Sequence, residues 1–145
     1  MSLDELAARL RALPGKMQRN LAAAERKTQK QAYREAVNLS SGTETAQSLA
    51  RAGHPYSRRA PNSAFDPAQI NSRTGLFRSS WVSPPQVIAG RTILTTVLNL
   101  SPEAAYMEGT KTMVPRLIAD EVMKRIEPDR QRRIADAIDK TLEDF

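Results

Sequence analysis

The apolar positions of the first 39 residues recur at helical spacing. Leu3, Leu6, Ala7, Leu10 and Leu13 make one face, the spacing of an amphipathic helix. Ser2 and Glu5 have the S-x-x-E arrangement of a capping box, which pairs two orphan amides at a helix start. Pro14-Gly15 predicts an end or a kink there. From Lys16 to about Leu39 neither Pro nor Gly occurs, and Ala, Gln, Lys, Arg and Glu dominate, all strong helix formers. The buried face expected for this stretch is Met17, Leu21, Ala24, Thr28, Ala32, Ala36 and Leu39. It is narrow and made mostly of small side chains, which bury little area at about 25 cal/mol per Å². Such a helix is expected to lie between subunits or along a sheet. Ser40-Ser41-Gly42 closes it, and Thr43 to Ala52 is read as an extension or a further helical stretch.

Gly53 to Ser72 breaks the pattern with Pro55, Pro61 and Pro67 and with Asn62, Ser63, Asp66 and Asn71, a loop composition. Loops of about 20 residues without structure are uncommon in compact domains and are usually functional or disordered. An ordered excursion that gains partners on assembly is expected, anchored by Tyr56, Phe65 and Ile70. Period-2 patterning follows. Trp81 to Ala89 is interrupted by Pro84-Pro85, which places its first half at an edge. Gly90-Arg91 turns the chain, and Thr92 to Leu100 is rich in β-branched residues, so a hairpin is predicted. Ser101-Pro102-Glu103 has the chemistry of a helix start, for a helix ending at Gly109. Pro115 can open another, with Ile118, Val122 and Ile126 four apart. Pro128 is expected to break or restart it before a final amphipathic helix carrying Ile134, Ile138 and Leu142.

These elements define an α+β chain. It has long N-terminal helices, a small antiparallel β-sheet built on a hairpin at about 80–100, and C-terminal helices. A length of 145 residues suits one domain, divided into helical residues 1–52, a Pro-rich basic loop 53–72, a motif and hairpin 73–100, and helical residues 101–145.

Composition narrows the chemistry. There is no cysteine and one histidine, His54, which excludes thiolate metal sites, disulfides and thiol nucleophiles and fits a reducing compartment. No apolar run approaches the roughly 20 residues of a membrane span. Asp4 and Glu5 stand where a signal peptide carries bases, so a soluble, non-exported protein without membrane contact is expected. The net charge is +6, unevenly spread. Residues 51–91 hold Arg51, Arg58, Arg59, Arg73, Arg78 and Arg91 against the single acid Asp66, a balance that favours phosphate or an acidic partner.

No phosphate-cradling, dinucleotide-binding or nucleophile-elbow motif occurs. His54 reads as a surface loop residue. Trp81, beside the paired prolines, reads as a sheet-edge or interface anchor. Glu121–Arg125 and Asp136–Lys140 have the spacing of exposed helix pairs. Arg130, Arg132 and Arg133 stand beside Glu127 and Asp129 and read as a solvated face. A hydrolase using Glu108 or Glu44 as base lacks a partner residue. A non-enzymatic protein without cofactor or metal is expected.

Two motifs carry more information. The first is Ser72-Arg73-Thr74-Gly75-Leu76-Phe77-Arg78-Ser79-Ser80-Trp81, just before the first strand. There Thr74 can cap a turn, Gly75 permits an unusual backbone angle, and Leu76 with Phe77 can plug into a core. The second is Tyr106-Met107-Glu108-Gly109-Thr110 followed by Met113, Pro115 and Arg116. In this order and spacing the pair resembles the neck, or head–tail joining and tail-completion, proteins of long-tailed bacteriophages, a family of minor tail components. Thr74, Gly75, Phe77, Arg78 and Ser80 match the family's first motif. Tyr106, Glu108, Gly109, Thr110, Met113 and Arg116 match the second. The chain departs from the family in lacking an aromatic between the glutamate and the glycine. It also reverses the arginine-proline order, with Leu117 where an aromatic is usual.

The resemblance implies a structural virion protein. Copies on the order of six or twelve would close into a ring between the connector or adaptor and the tail tube or tail terminator. DNA would pass through the lumen. The protein would be assembled in the host cytoplasm and reside at the neck or the top of the tail. Arg58, Arg59, Thr74, Gly75, Phe77, Arg78, Trp81, Tyr106, Glu108, Gly109, Thr110 and Arg116 are the expected interface residues. The basic segment Arg51 to Arg78 would face an adjacent ring or DNA. The alternative is a small basic cytoplasmic DNA-binding protein making nonspecific phosphate contacts through residues 51–91.

Overall fold

The computed structural model describes residues 2–42, 75–104 and 118–143. Helix α1 is Leu3–Leu39 and the single-turn helix α2 is Leu76–Ser79. Strands β1 Trp81–Val82, β2 Val87–Ala89, β3 Thr92–Leu94 and β4 Leu98–Asn99 follow, and helix α3 is Ile118–Glu143. The expected α+β arrangement is found. The readings made for Thr43–Ala52, for the 53–72 loop with Arg58 and Arg59, and for Thr74 lie outside the described residues. So do those for Tyr106, Glu108, Gly109, Thr110 and Arg116. Of the helix expected after Ser101, only the opening turn is described, closed by Ala104 N donating to Ser101 O at 3.1 Å.

The capping box forms as expected. Glu5 N donates to Ser2 Oγ at 3.2 Å, and Ser2 N donates to Glu5 Oε2 at 2.7 Å. Helix α1 then runs unbroken for 37 residues with Pro14 inside it, where an end or kink was expected. Proline removes one helical donor, orphaning the carbonyl of residue 10. Leu10 and Pro14 are both exposed, so water can satisfy that carbonyl, and the strong helix formers on either side carry the helix through. Pro128 corrects the reading of the C-terminal half in the same way. It lies within the 26-residue α3, and both it and Lys124, whose carbonyl it leaves unpaired, are exposed.

Helices α1 and α3 pack antiparallel, with Asn20 meeting Thr141 and Glu35 meeting Arg125. The buried residues of α1 are Ala22, Ala24, Thr28, Gln29, Ala32, Ala36 and Leu39. This is close to the expected stripe, with Met17 and Leu21 only half-buried. On α3, Ile118, Val122 and Ile126 are buried as their spacing predicts. Beyond Pro128 the buried positions are Ala137 and Thr141, whereas Ile138 and Leu142 are exposed, contrary to the expected Ile134–Ile138–Leu142 face. Small side chains win there because they let α3 approach α1 at Ala24, which lines a small cleft together with Ala137. The fully buried Thr141 Oγ1 receives a hydrogen bond from Asn20 Nδ2 at 2.8 Å. The main core gathers Ala32, Ala36 and Leu39 of α1, Phe77 of α2 and Ile118, Val122 and Ile126 of α3, with Trp81, Val97 and Ala104 packed against it. Half of the ten buried apolar residues described are alanines, so the core is thin and polar contacts must complete it.

The hairpin is present but split. β2 pairs antiparallel with β3, and β1 with β4, as two separate two-stranded ladders. Trp81 faces Asn99 and Val82 faces Leu98, whereas Val87 faces Leu94 and Ala89 faces Thr92. Four residues, 83–86, therefore oppose three, 95–97, and the register slips by one between the ladders. The cause is Pro84-Pro85, which brings two positions without ladder donors. The outer ladder turns through Gly90 at φ 58°, the left-handed conformation that a two-residue hairpin loop needs at its first position.

Candidate functional site

The first motif builds a compact hook at the base of the inner ladder. Gly75 has φ 76° and precedes α2, a backbone angle that side chains disfavour, as its place in the motif predicts. Phe77 is buried, but Leu76 is 48% exposed, so one residue of the expected pair enters the core and the other faces outward. The Phe77 ring meets Trp81 edge-to-face, with centroids 5.9 Å apart and planes at 83°, a favourable quadrupole arrangement. Trp81 Nε1 donates to Ser40 Oγ at 2.8 Å, and Ser40 Oγ donates to Ala36 O at 2.7 Å. The hook is thereby fastened to the end of α1.

Asn99 of β4 links the hook to the other strand of the inner ladder. Its Nδ2 donates to Phe77 O at 2.8 Å, and its Oδ1 accepts from Ser101 N at 2.8 Å. Leu100 N donates to Ser80 O at 2.9 Å. Of the expected interface residues that are described, Gly75, Phe77 and Trp81 thus serve contacts within the chain, and Arg78 is exposed.

Three glutamines hold the split hairpin along α1, and sequence reading did not single them out. Buried Gln29 donates through Nε2 to Pro84 O at 2.7 Å and to Thr96 O at 2.9 Å. These carbonyls lie in the two stretches where the ladder is interrupted, so one amide satisfies both. Gln86 Nε2 donates to Ala22 O at 3.1 Å, and Gln18 Nε2 donates to Gly90 O. The available signal was Gln29 itself, a long polar side chain between the small Ala24, Thr28, Ala32 and Ala36.

A cleft of about 300 Å³ lies between α1, the 95–97 segment and α3, floored by Ala32, Val122 and Ile126 and flanked by Trp81. At its rim Arg130 bridges Glu25 at 3.1 Å and Glu127 at 3.5 Å. The hydrogen bond that Arg130 donates to Glu25 is the largest influence raising the Arg130 pKa above its ordinary value. Arg133 donates to Thr28 Oγ1 at 3.3 Å and Gln31 to Asp129 Oδ2 at 2.9 Å. Arg130 and Arg133 therefore tie the two helices together and are not part of the solvated face expected of them. Arg132 keeps only a loose pair with Asp129 at 3.8 Å and is largely exposed. Glu121 pairs with Arg125 at 2.8 Å as its spacing predicts. Asp136 and Lys140 form no ion pair among the described residues.

Among the described residues no three His, Cys, Asp or Glu side chains are grouped to hold a metal ion. No described helix is long and apolar enough to cross a membrane. Compared with protein-family models, curated proteins and solved structures, the chain finds no match.

Proposed function

We propose that the chain is a structural protein of a tailed-phage particle. It is a ring-forming subunit of the neck or the top of the tail, meeting the connector or adaptor on one side and the tail tube or tail terminator on the other. DNA passes through the ring. The proposal rests on the two ordered motifs around Gly75 and Glu108 and on one structural observation, the outer ladder. β2 and β3 are three residues each, and Val87, Ile88 and Leu94 are 54%, 48% and 57% exposed. A two-stranded ladder of this size is marginal in water, and its edges, unpaired among the described residues, and its exposed apolar side chains are suited to a neighbouring copy. A head-to-tail contact of this kind, repeated with a fixed rotation, closes into a ring.

The test is mass spectrometry of purified phage particles encoding the chain, followed by a reconstruction of the neck. Several symmetric copies around the DNA channel are expected. Absence of the chain from particles that package and eject DNA would overturn the proposal.

A further inference from the structure

The solvent face of α1 is basic from Arg19 to Arg34. Arg19, Arg26, Lys27, Lys30 and Arg34 are exposed, and none forms an ion pair or side-chain hydrogen bond with another described residue. At 3.6 residues per turn they fall within an arc of about 100°, opposite the arc of Ala24, Thr28, Ala32, Ala36 and Leu39 that packs on the rest of the fold. The two acids of this stretch, Glu25 and Glu35, lie off that arc and reach Arg130 and Arg125 of α3. The helix has thus turned its carboxylates inward and its cations outward. The positive surface continues onto α3, where Lys27 lines a cleft of about 170 Å³ together with Arg133, Lys140 and the single acid Asp136.

We infer that this face of α1 binds the sugar–phosphate backbone of duplex DNA without regard to base sequence. The spacing fits. Arg19 to Arg34 spans about 22 Å at 1.5 Å per residue, and about six phosphates of one strand occupy that length at 3.4 Å each. A single-stranded ligand would call for a platform of aromatic rings, and the basic arc carries Ala23 between its cations in place of rings. A membrane surface would call for an apolar face free to enter the lipid beside the cations, whereas from Ala22 to Leu39 the apolar face of α1 is buried, and the exposed Leu3 and Leu10 lie N-terminal to the basic stretch. The surface belongs to one subunit, so the inference does not depend on ring closure. It also places the phosphate contact on α1, away from residues 51–91, where the charge balance of the sequence put it.

The test is fluorescence anisotropy of the full chain with a labelled 30-base-pair duplex at 50 and 200 mM NaCl. Five phosphate contacts at a slope of about 0.9 each give an affinity loss of about 500-fold between those salts. The triple variant Lys27→Gln, Lys30→Gln, Arg34→Gln keeps good helix formers and is expected to reduce that loss to about tenfold. The control triple Arg91→Gln, Lys124→Gln, Arg132→Gln removes equal charge elsewhere and is expected to leave the steep salt dependence in place. Circular dichroism checks that both variants stay helical, and the charge-preserving Arg26→Lys, Arg34→Lys variant is expected to bind like the parent. Equal weakening by the two triple variants would overturn the inference. So would a parent chain without salt-dependent duplex binding, or one that prefers phosphatidylserine vesicles to the duplex.

Discussion

Gln29 reaches from the middle of the long helix to Thr96, donating through Nε2 to its carbonyl at 2.9 Å while the same nitrogen donates to Pro84 O at 2.7 Å. This one amide replaces the strand pairing that Pro84-Pro85 prevents, and it joins the hairpin to α1 where the core between them is thin. Gln29→Ala leaves two carbonyls without that donor, and so does the bulk-matched Gln29→Met. Both are expected to lower unfolding free energy by about 1 kcal/mol, the net worth of part-buried hydrogen bonds whose carbonyls water can partly reach. Urea denaturation measures it, and an unchanged midpoint for both variants would show that the carbonyls find other partners.

Gly75 separates backbone strain from crowding. Its φ is +76°, and a Cβ built there meets nothing within 4 Å. Gly75→Ala is therefore expected to cost about 1 kcal/mol through conformation alone. Gly75→Asn should recover part of that, because asparagine tolerates the left-handed region best among the other residues. Thermal melts of the two variants decide the matter, and equal destabilisation would contradict this account of the position.

Pro14 and Pro128 each sit inside a continuous helix. Replacing either by alanine returns a helical hydrogen bond and removes a ring that crowds the preceding turn. Proline in a helix interior costs about 3 kcal/mol, part of which these sites have already relaxed. Stabilisation of about 1 kcal/mol is expected for each variant in denaturant titrations. Destabilisation by Pro128→Ala would mean that the proline serves the packing of α3.

The Trp81–Ser40 bond closes the hook against α1. Trp81→Phe keeps a ring facing Phe77 but loses the indole donor. A loss of about 1 kcal/mol is expected, partly from the bond and partly from the smaller ring. Ser40→Ala removes the same bond from the other side, so the double variant should cost less than the two single variants together. Strict additivity in a double-mutant cycle would show that the bond contributes nothing.

Much of this fold was legible in the residue pattern. The capping box at Ser2 and Glu5, the small-residue face of α1, the four-residue rhythm of Ile118, Val122 and Ile126, and the turn at Gly90 all act locally, within one or two helical turns or across one hairpin. What pattern alone missed was decided by tertiary context. Pro14 and Pro128 read as breaks, but they are tolerated because the carbonyls they orphan face water. Ile138 and Leu142 read as core, but Ala137 and Thr141 are buried there because α3 lies too close to α1 for larger groups. Arg130 and Arg133 read as solvated, but their partners Glu25 and Thr28 are more than 100 residues away in the chain. In the candidate site, Gly75 and Phe77 were visible from the motif. Gln29 was not, because its role exists only where the strands come apart.

The central claim is that the outer ladder of one copy is covered by another copy in the assembled particle. Photocrosslinking from a benzoylphenylalanine at position 88, in place of Ile88, tests this in particles assembled with the substituted chain. Crosslinked species at twice the mass of the chain, absent when position 103 on the exposed turn carries the probe, are the expected result. Particles that contain the chain but yield only uncrosslinked protein from position 88 would contradict it.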